Sequence, residues 1–349
     1  MDWEKLDRYL NGCIERKKIP GAVVWVGNDK RVFYFEAFGY RQLWPERIKM
    51  EKDTIFDLSS ITKSICTAMS AMLLVQEKEI RLNDRIEKYM WEFKGKRNGT
   101  KTIKELLTHT SGLPAWYPLY LLSYEDMWDF LARKNTEKTG VIYSCLGYII
   151  LCRIVERVVK RRLDSFCAER LFKGLNLDNT RFGPIEKENV APTELGNRYE
   201  KKLTRKYGDV SKVMWRKDLI KGRVHDGNSY YAFNGIAGNA GLFSNASELA
   251  RIMRNYLKGR IVNMDIVQMM IRDWTGGIEK RGLGWWVNPY PEILSDRAFG
   301  HTGFTGTMVM VEPEKKLIII LLSNSVHPKV RLGVMPKIRK EVIKIIFSG

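Results

Sequence analysis

Residues 59–64 read Ser59-Ser60-Ile61-Thr62-Lys63-Ser64, set between the run Thr54-Ile55-Phe56-Asp57-Leu58 and an apolar stretch that continues to about Gln76. The stretch from Ser60 onward has the look of a buried helix, and on a helix positions i and i+3 share a face. Lysine rarely enters a core without a partner. Two readings follow. Either Ser60 caps the helix and Lys63 turns to solvent, or the two side chains meet in a water-poor site. A serine hydroxyl is a weak nucleophile until a base takes its proton. A lysine serves as that base when burial or a nearby cation lowers its pKa. A helix N-terminus at Ser60 would add free N–H groups and a positive dipole end, both favourable to a developing oxyanion. The four-residue pattern alone favours the cap, so the rest of the chain has to decide.

The chain around it is 349 residues long, enough for one large domain or two halves about a cleft. Hydrophobic content of 44% and charged content of 28% describe an ordinary soluble globular protein. The five cysteines, Cys13, Cys66, Cys145, Cys152 and Cys167, contain no CxxC pair. That argues against a disulfide framework and against a zinc site; no metal and no cofactor is expected. The opening MDWEKLDRYL lacks the apolar segment of a signal peptide, and no run of 18 apolar residues exists, so a cytoplasmic location without a membrane span is expected. The formal net charge of +19 could draw anionic partners. The basic residues are nevertheless dispersed and interleaved with Glu and apolar residues, which reads as a solvated basic surface, and no nucleic-acid partner is expected.

Working outward, Trp3, Leu6, Leu10 and Ile14 have helical spacing. Residues 21–27 and 31–39 are β-rich runs separated by Asn-Asp-Lys, a hairpin. Residues 86–280 are dominated by helical patterns, with breaks at Ser111-Gly112-Leu113-Pro114 and in the glycine-rich 235–241. Strand signals return at 282–287, 306–311 and 316–322, and a last helix covers about 330–347. Strands at both ends and helices between predict an α/β (α+β) fold. Residues 1–75 with 281–349 form a half built on one antiparallel sheet, residues 76–280 a mainly helical half, and the two make one catalytic unit with Ser60 at the seam.

Two further stretches change the weight of Ser60-x-x-Lys63. Tyr143-Ser144-Cys145 follows it, and Gly300-His301-Thr302-Gly303-Phe304-Thr305-Gly306 opens the first of the final pair of strands. Ser-x-x-Lys, then a Tyr-x-Asn-like triplet, then Lys/His-Thr-Gly, in that order, resembles the serine β-lactamase and penicillin-binding-protein superfamily. The likeness is to its class C-like branch, which includes esterases of the β-lactamase fold and D-amino-acid peptidases. Supporting stretches such as IKELLTHTSGLP, GIAGNAGLFSNASELAR and GLGWW carry it from about residue 20 to residue 325. The resemblance implies that Ser60 is the acylated nucleophile, Lys63 its base partner and Tyr143 the proton shuttle to the leaving group. It also implies an oxyanion hole from the backbone N–H groups of Ser60 and Phe304, and substrate contacts from Cys145, His301, Thr302 and Gly303.

Two positions depart from the family pattern. Cys145 stands where the family has an asparagine whose amide holds the acyl side chain, and a thiol is a poor donor and acceptor. His301 stands where β-lactam-binding members have a lysine that helps hold the substrate carboxylate, and neutral histidine carries no fixed charge. Both departures touch recognition, and neither removes the acylation machinery. Other candidates carry less. His109 invites a Ser–His reading with Ser111, but G-x-S-x-G is absent, and the resemblance makes the stretch a turn beside the site. His225 and His327 read as surface residues without ligand spacing, and Met264, Met269 and Met270 as a core helix face. GIAGNAGLF follows no strand and does not read as a phosphate loop; the resemblance implies that it shapes the cleft edge. The expected activity is that of a serine hydrolase of small esters or amides. A D-amino-acid peptidase is the alternative, and a catalytically silent ligand-binding protein of the same fold is the alternative of another class.

Overall fold

The structure is a computed structural model describing residues 1–136, 138–277 and 279–348. Its strands are β1 (Gly21–Gly27), β2 (Val32–Gln42), β3 (Ile48–Lys49), β4 (Phe56–Asp57), β5 (Arg181–Phe182), β6 (Leu242–Ser244), β7 (Trp286–Val287), β8 (Phe299–Thr302), β9 (Met308–Glu312) and β10 (Leu317–Leu322). Seven of them build an antiparallel sheet in the order β3-β2-β1-β10-β9-β8-β7. The central pair joins the two ends of the chain: Val23 lies opposite Leu322 and Trp25 opposite Ile320.

Successive strand residues point to opposite faces, and here each face has its own core. Val23, Trp25, Ile318, Ile320 and Leu322 pack toward the helices that lie between β4 and β7 in the chain. Ala22, Val24, Val26, Ile319 and Leu321 pack instead on Leu6 and Leu10 of α1 (Trp3–Glu15) and on Ile338, Val342 and Ile346 of α10 (Val334–Phe347). Burial on both sides explains why β1 and β10 read as unbroken apolar runs rather than alternating ones. Between them come α2 (Met69–Gln76), α3 (Ile103–Leu107), α4 (Tyr124–Arg133), α5 (Cys145–Val159), α6 (Leu163–Phe166), α7 (Arg198–Thr204), α8 (Ala246–Leu257) and α9 (Met264–Ile271). Among the described residues, no helix is long and apolar enough to cross a membrane.

Several local expectations change. A second sheet, ordered β4-β6-β5, ties the residues just before Ser60 to the chain after the glycine-rich stretch; strands of two or three residues are too short to show a period in sequence. The run 282–287 keeps only Trp286–Val287 as strand, because Gly284 sits at φ +93 and brings its backbone against Ala68, 2.3 Å from where a Cβ would stand. His301-Thr302 ends a strand of its own, β8, and the turn after Thr302 leads into β9. His225 and His327 are buried, not on the surface. His327 accepts from the Leu43 N–H at Nε2 (2.9 Å) and donates from Nδ1 to the Thr193 carbonyl, also at 2.9 Å. His225 pairs with Glu194 at 3.2 Å. On α9, Met270 is core but Met264 is exposed.

Candidate active site

The backbone leading into Ser60 is held in an unusual shape. Ser59 has φ +50, a left-handed conformation uncommon for a residue with a side chain. Its N–H donates to Asp57 Oδ1 at 2.8 Å and its carbonyl accepts from Thr62 Oγ1 at 2.7 Å. Asp57 Oδ2 in turn accepts from the His225 N–H at 2.7 Å. The helix that follows opens with a wide π-helical turn, Lys63–Ala68, a form that is rare and frequent at functional sites. Ser64 Oγ donates to the Gly284 carbonyl at 2.6 Å and Thr67 Oγ1 to the Gly238 carbonyl at 2.7 Å, which ties this turn to the GLGWW stretch and to the glycine-rich stretch.

Lys63 is wholly buried. Its Nζ lies 2.9 Å from Ser60 Oγ and donates to the carbonyl of Asn239 at 2.9 Å. The Asn239 contact comes from the glycine-rich stretch, which thus reaches the centre of the site and not only its edge. The Tyr143 ring packs on the lysine, its centroid 5.2 Å from Nζ. Burial disfavours the ammonium, but Cys145 and Tyr143, followed by Asp226, favour it, and the balance raises the lysine pKa. This reverses the expected direction: the neighbours outweigh desolvation, and Lys63 holds its proton.

Tyr143 is fixed from behind by His109. The imidazole ring lies 4.5 Å from the phenol ring, centroid to centroid, and its Nδ1 accepts from the Ser144 N–H at 2.9 Å. Burial drives the His109 pKa well below the ordinary value, so the ring stays neutral and keeps that acceptor. Ser144 caps α5 by accepting from the Gly147 N–H and donates to the Pro114 carbonyl at 2.7 Å. Cys145, half-buried, begins α5. Burial raises its pKa, against the pull of Lys63, which keeps it a thiol.

The opposite wall is the end of β8 and its turn. A Cβ on Gly303 would stand 2.4 Å from the Leu58 carbonyl, so only glycine lets the turn approach this closely. Thr305 Oγ1 donates to the Asp57 carbonyl at 2.7 Å and Thr307 Oγ1 to that of Leu58 at 3.0 Å, locking the two walls together. The Phe304 N–H, expected in the oxyanion hole, donates to Ser59 Oγ at 3.2 Å. His301 donates from Nδ1 to the Thr302 carbonyl at 2.8 Å. Burial, with Lys63 and Arg281 nearby, pushes it down to about 3. It is neutral at physiological pH, with Nε2 left as an acceptor.

Ser60, Tyr143 and residues 301–304 line one cavity of about 320 Å³ together with Arg281, Trp286 and Arg339. No sequence signal singled out the two arginines: one precedes the GLGWW stretch and the other lies on the terminal helix, far from every motif. Both are buried, and the Nε of each has no acceptor among the described residues. Arg339 donates to the Gly303 carbonyl at 2.6 Å. Burial brings it down to about 10, still a cation at neutral pH. Arg281 pairs with Glu279 and lies 5.4 Å from the Tyr143 ring centroid. The positive charge that His301 lacks is therefore supplied from outside the motifs. Among the described residues, no cluster of three or more potential metal ligands occurs. A serine held by a buried lysine, backbone donors across a narrow gap and two fixed cations suit acyl transfer from a substrate bearing a negative charge.

Known proteins resemble the chain over nearly its whole length. The family model described as Beta-lactamase matches residues 6–342. A putative D-alanyl-D-alanine carboxypeptidase of Escherichia coli (strain K12) is 29% identical, over 93% of this chain and 83% of that protein. An N-acetylmuramyl-L-alanine amidase of Bacillus subtilis (strain 168) is also 29% identical, over 93% of this chain and 82% of its own length. Among solved structures, EstCE1, a hydrolase with promiscuous acyltransferase activity, superposes with a TM-score of 0.77 at 18% identity, covering 99% of this chain and 98% of that one. At that identity the likeness is one of fold.

Proposed function

Since the chain belongs to the β-lactamase family, we propose that it is a serine acyl hydrolase working through a Ser60 acyl-enzyme on small amides or esters whose leaving side carries a carboxylate. The observation that carries this is the pairing of Lys63 Nζ with Ser60 Oγ at 2.9 Å in a cavity whose far side holds Arg281 and Arg339. Ser60 Oγ attacks the substrate carbonyl, and its proton is relayed through the Tyr143 hydroxyl, whose ring packs on Lys63. The backbone N–H groups of Ser60 and Phe304 receive the developing oxyanion. Tyr143 then protonates the leaving nitrogen or oxygen as the bond to the acyl carbon breaks. Water, deprotonated by the same group, hydrolyses the ester and returns Ser60. A D-alanyl peptide, with a terminal carboxylate on the leaving residue, meets these requirements.

A second reading, a plain short-chain esterase, is favoured by Cys145, which cannot hold an acyl-side amide as an asparagine would. One experiment separates the two. The protein is first treated with a fluorophosphonate and the adduct located by mass spectrometry, with Ser60 expected. Hydrolysis of a D-alanyl-D-alanine peptide, p-nitrophenyl acetate and nitrocefin is then compared. Preference for the peptide supports the carboxylate reading, preference for acetate the esterase. Absence of any adduct on Ser60 removes both and leaves a ligand-binding protein.

A further inference from the structure

We propose that α7 and the loop after it form a docking surface for an anionic lipid bilayer, which sets the active-site cleft beside the membrane. Residues 198–223 carry ten lysines and arginines against three acidic residues. The acids do little to offset the charge. Glu200 is buried and raised to about 8, so it is mostly protonated at neutral pH; Asp218 is paired with Arg223; and Asp209 is engaged by Ser211 N and Oγ. Arg198, Lys202, Arg205, Lys206, Lys212 and Lys217 are exposed, and among the described residues no carboxylate lies within ion-pair distance of them.

The tip of this surface is apolar. Met214 is 94% exposed, more than any other large hydrophobic side chain described, and Tyr207 is exposed near it in sequence. This exposure is built in. The Trp215 indole N–H donates to the Val210 carbonyl at 2.8 Å and folds the loop on itself, and Arg216 anchors it from below. The Arg216 guanidinium bonds Asn197 and the carbonyls of Val224 and His225 and stacks 3.8 Å from the Tyr230 ring centroid. A fixed apolar tip on a segment that carries six exposed cations is the combination that partitions into the interface of an anionic bilayer, where the side chain enters the headgroup region and the cations meet lipid phosphates. A soluble polyanion would engage the cations and gain nothing from Met214. The surface is also coupled to the site, since Tyr199 of α7 stacks on Phe304, 5.6 Å between ring centroids.

The test is co-sedimentation of the full chain with vesicles of equal parts phosphatidylglycerol and phosphatidylcholine, with pure phosphatidylcholine vesicles and soluble inorganic polyphosphate in parallel. Binding to the anionic vesicles, weakened by salt, and little binding to the zwitterionic ones is expected. The double change Lys212→Glu and Lys217→Glu should weaken it by more than about twentyfold, at roughly fivefold for each lysine lost near the surface. Met214→Ser should weaken vesicle binding several-fold and leave polyphosphate binding unchanged. Both variants should hydrolyse a soluble ester at the wild-type rate, which verifies their folding. Failure to bind anionic vesicles at low salt overturns the proposal, as does equal binding to zwitterionic vesicles. If Met214→Ser changes nothing while polyphosphate or a nucleic acid displaces the vesicles, the surface is a polyanion site instead.

Discussion

The backbone N–H of Phe304 donates to the hydroxyl of Ser59 at 3.2 Å. The donor expected to receive a substrate oxyanion is thus engaged by the residue next to Ser60, and a substrate must displace that hydroxyl. A neutral hydrogen bond contributes about 0.5–1.5 kcal/mol. Ser59→Ala should therefore raise kcat/KM for p-nitrophenyl acetate, by at most about tenfold at 1.4 kcal/mol per decade. A fall in kcat/KM with unchanged thermal stability would mean that the Ser59 hydroxyl assists the reaction.

Ser60→Ala should abolish turnover and fluorophosphonate labelling. Lys63→Ala and Tyr143→Phe should each lower kcat by about 10² or more, the scale of a lost proton-transfer group. The double variant should lose little beyond the worse single one, because the groups act as a unit. Single-turnover kinetics of the four proteins measures this, and near-wild-type acylation in Lys63→Ala would exclude the lysine from the chemistry.

Arg281→Met and Arg339→Met should discriminate between substrates. A hydrogen bond to a charged group contributes about 1.5–3 kcal/mol, so each change should cost about tenfold or more in kcat/KM for a D-alanyl-D-alanine peptide. Acetate ester hydrolysis should stay within about threefold, an upper bound well below one decade. Arg339→Lys should recover part of the loss. Equal losses on both substrates would show that the arginines only hold the turn at Gly303.

Glu200 gives the fold a pH dependence. Burial raises its carboxyl from 4.5 to about 8, with Tyr120 Oη and the Gly227 N–H as its partners. Between those two values the native state holds a proton that the unfolded chain releases, so stability falls as pH rises from about 4.5 to about 8. Thermal melts at pH 5.5 and 8.5 should show a smaller difference for Glu200→Gln than for the wild type. An unchanged difference would mean that other groups carry the slope.

Much of the architecture was legible because its signals are local. The hairpin of β1 and β2, the β9–β10 pair and the terminal helix follow from runs of apolar residues and their breaks. The three motifs do surround one cavity, since a serine and lysine one turn apart need no tertiary help to meet. What the sequence hid is tertiary in origin. Arg281 and Arg339 carry no pattern, the Asn239 contact to Lys63 is made by a carbonyl that any residue possesses, and the direction of the Lys63 shift depends on which neighbours burial brings along. The burial of His225 and His327 is hidden for a related reason: polar loop sequence around them conceals hydrogen-bond partners supplied from remote segments.

The strand pairing at the centre of the large sheet also governs the order of assembly. β1 and β10 come from opposite ends of the chain, with Val23 against Leu322, so their ladder closes a loop of nearly the whole polypeptide. Such non-local contacts slow folding. During synthesis the hairpin of β1 and β2 emerges with a bare apolar edge long before its partner exists, and that edge is open to pairing with another copy. Chains cut short before residue 317 should therefore accumulate in aggregates, and yield of the intact protein should respond to slower synthesis and to chaperone supply.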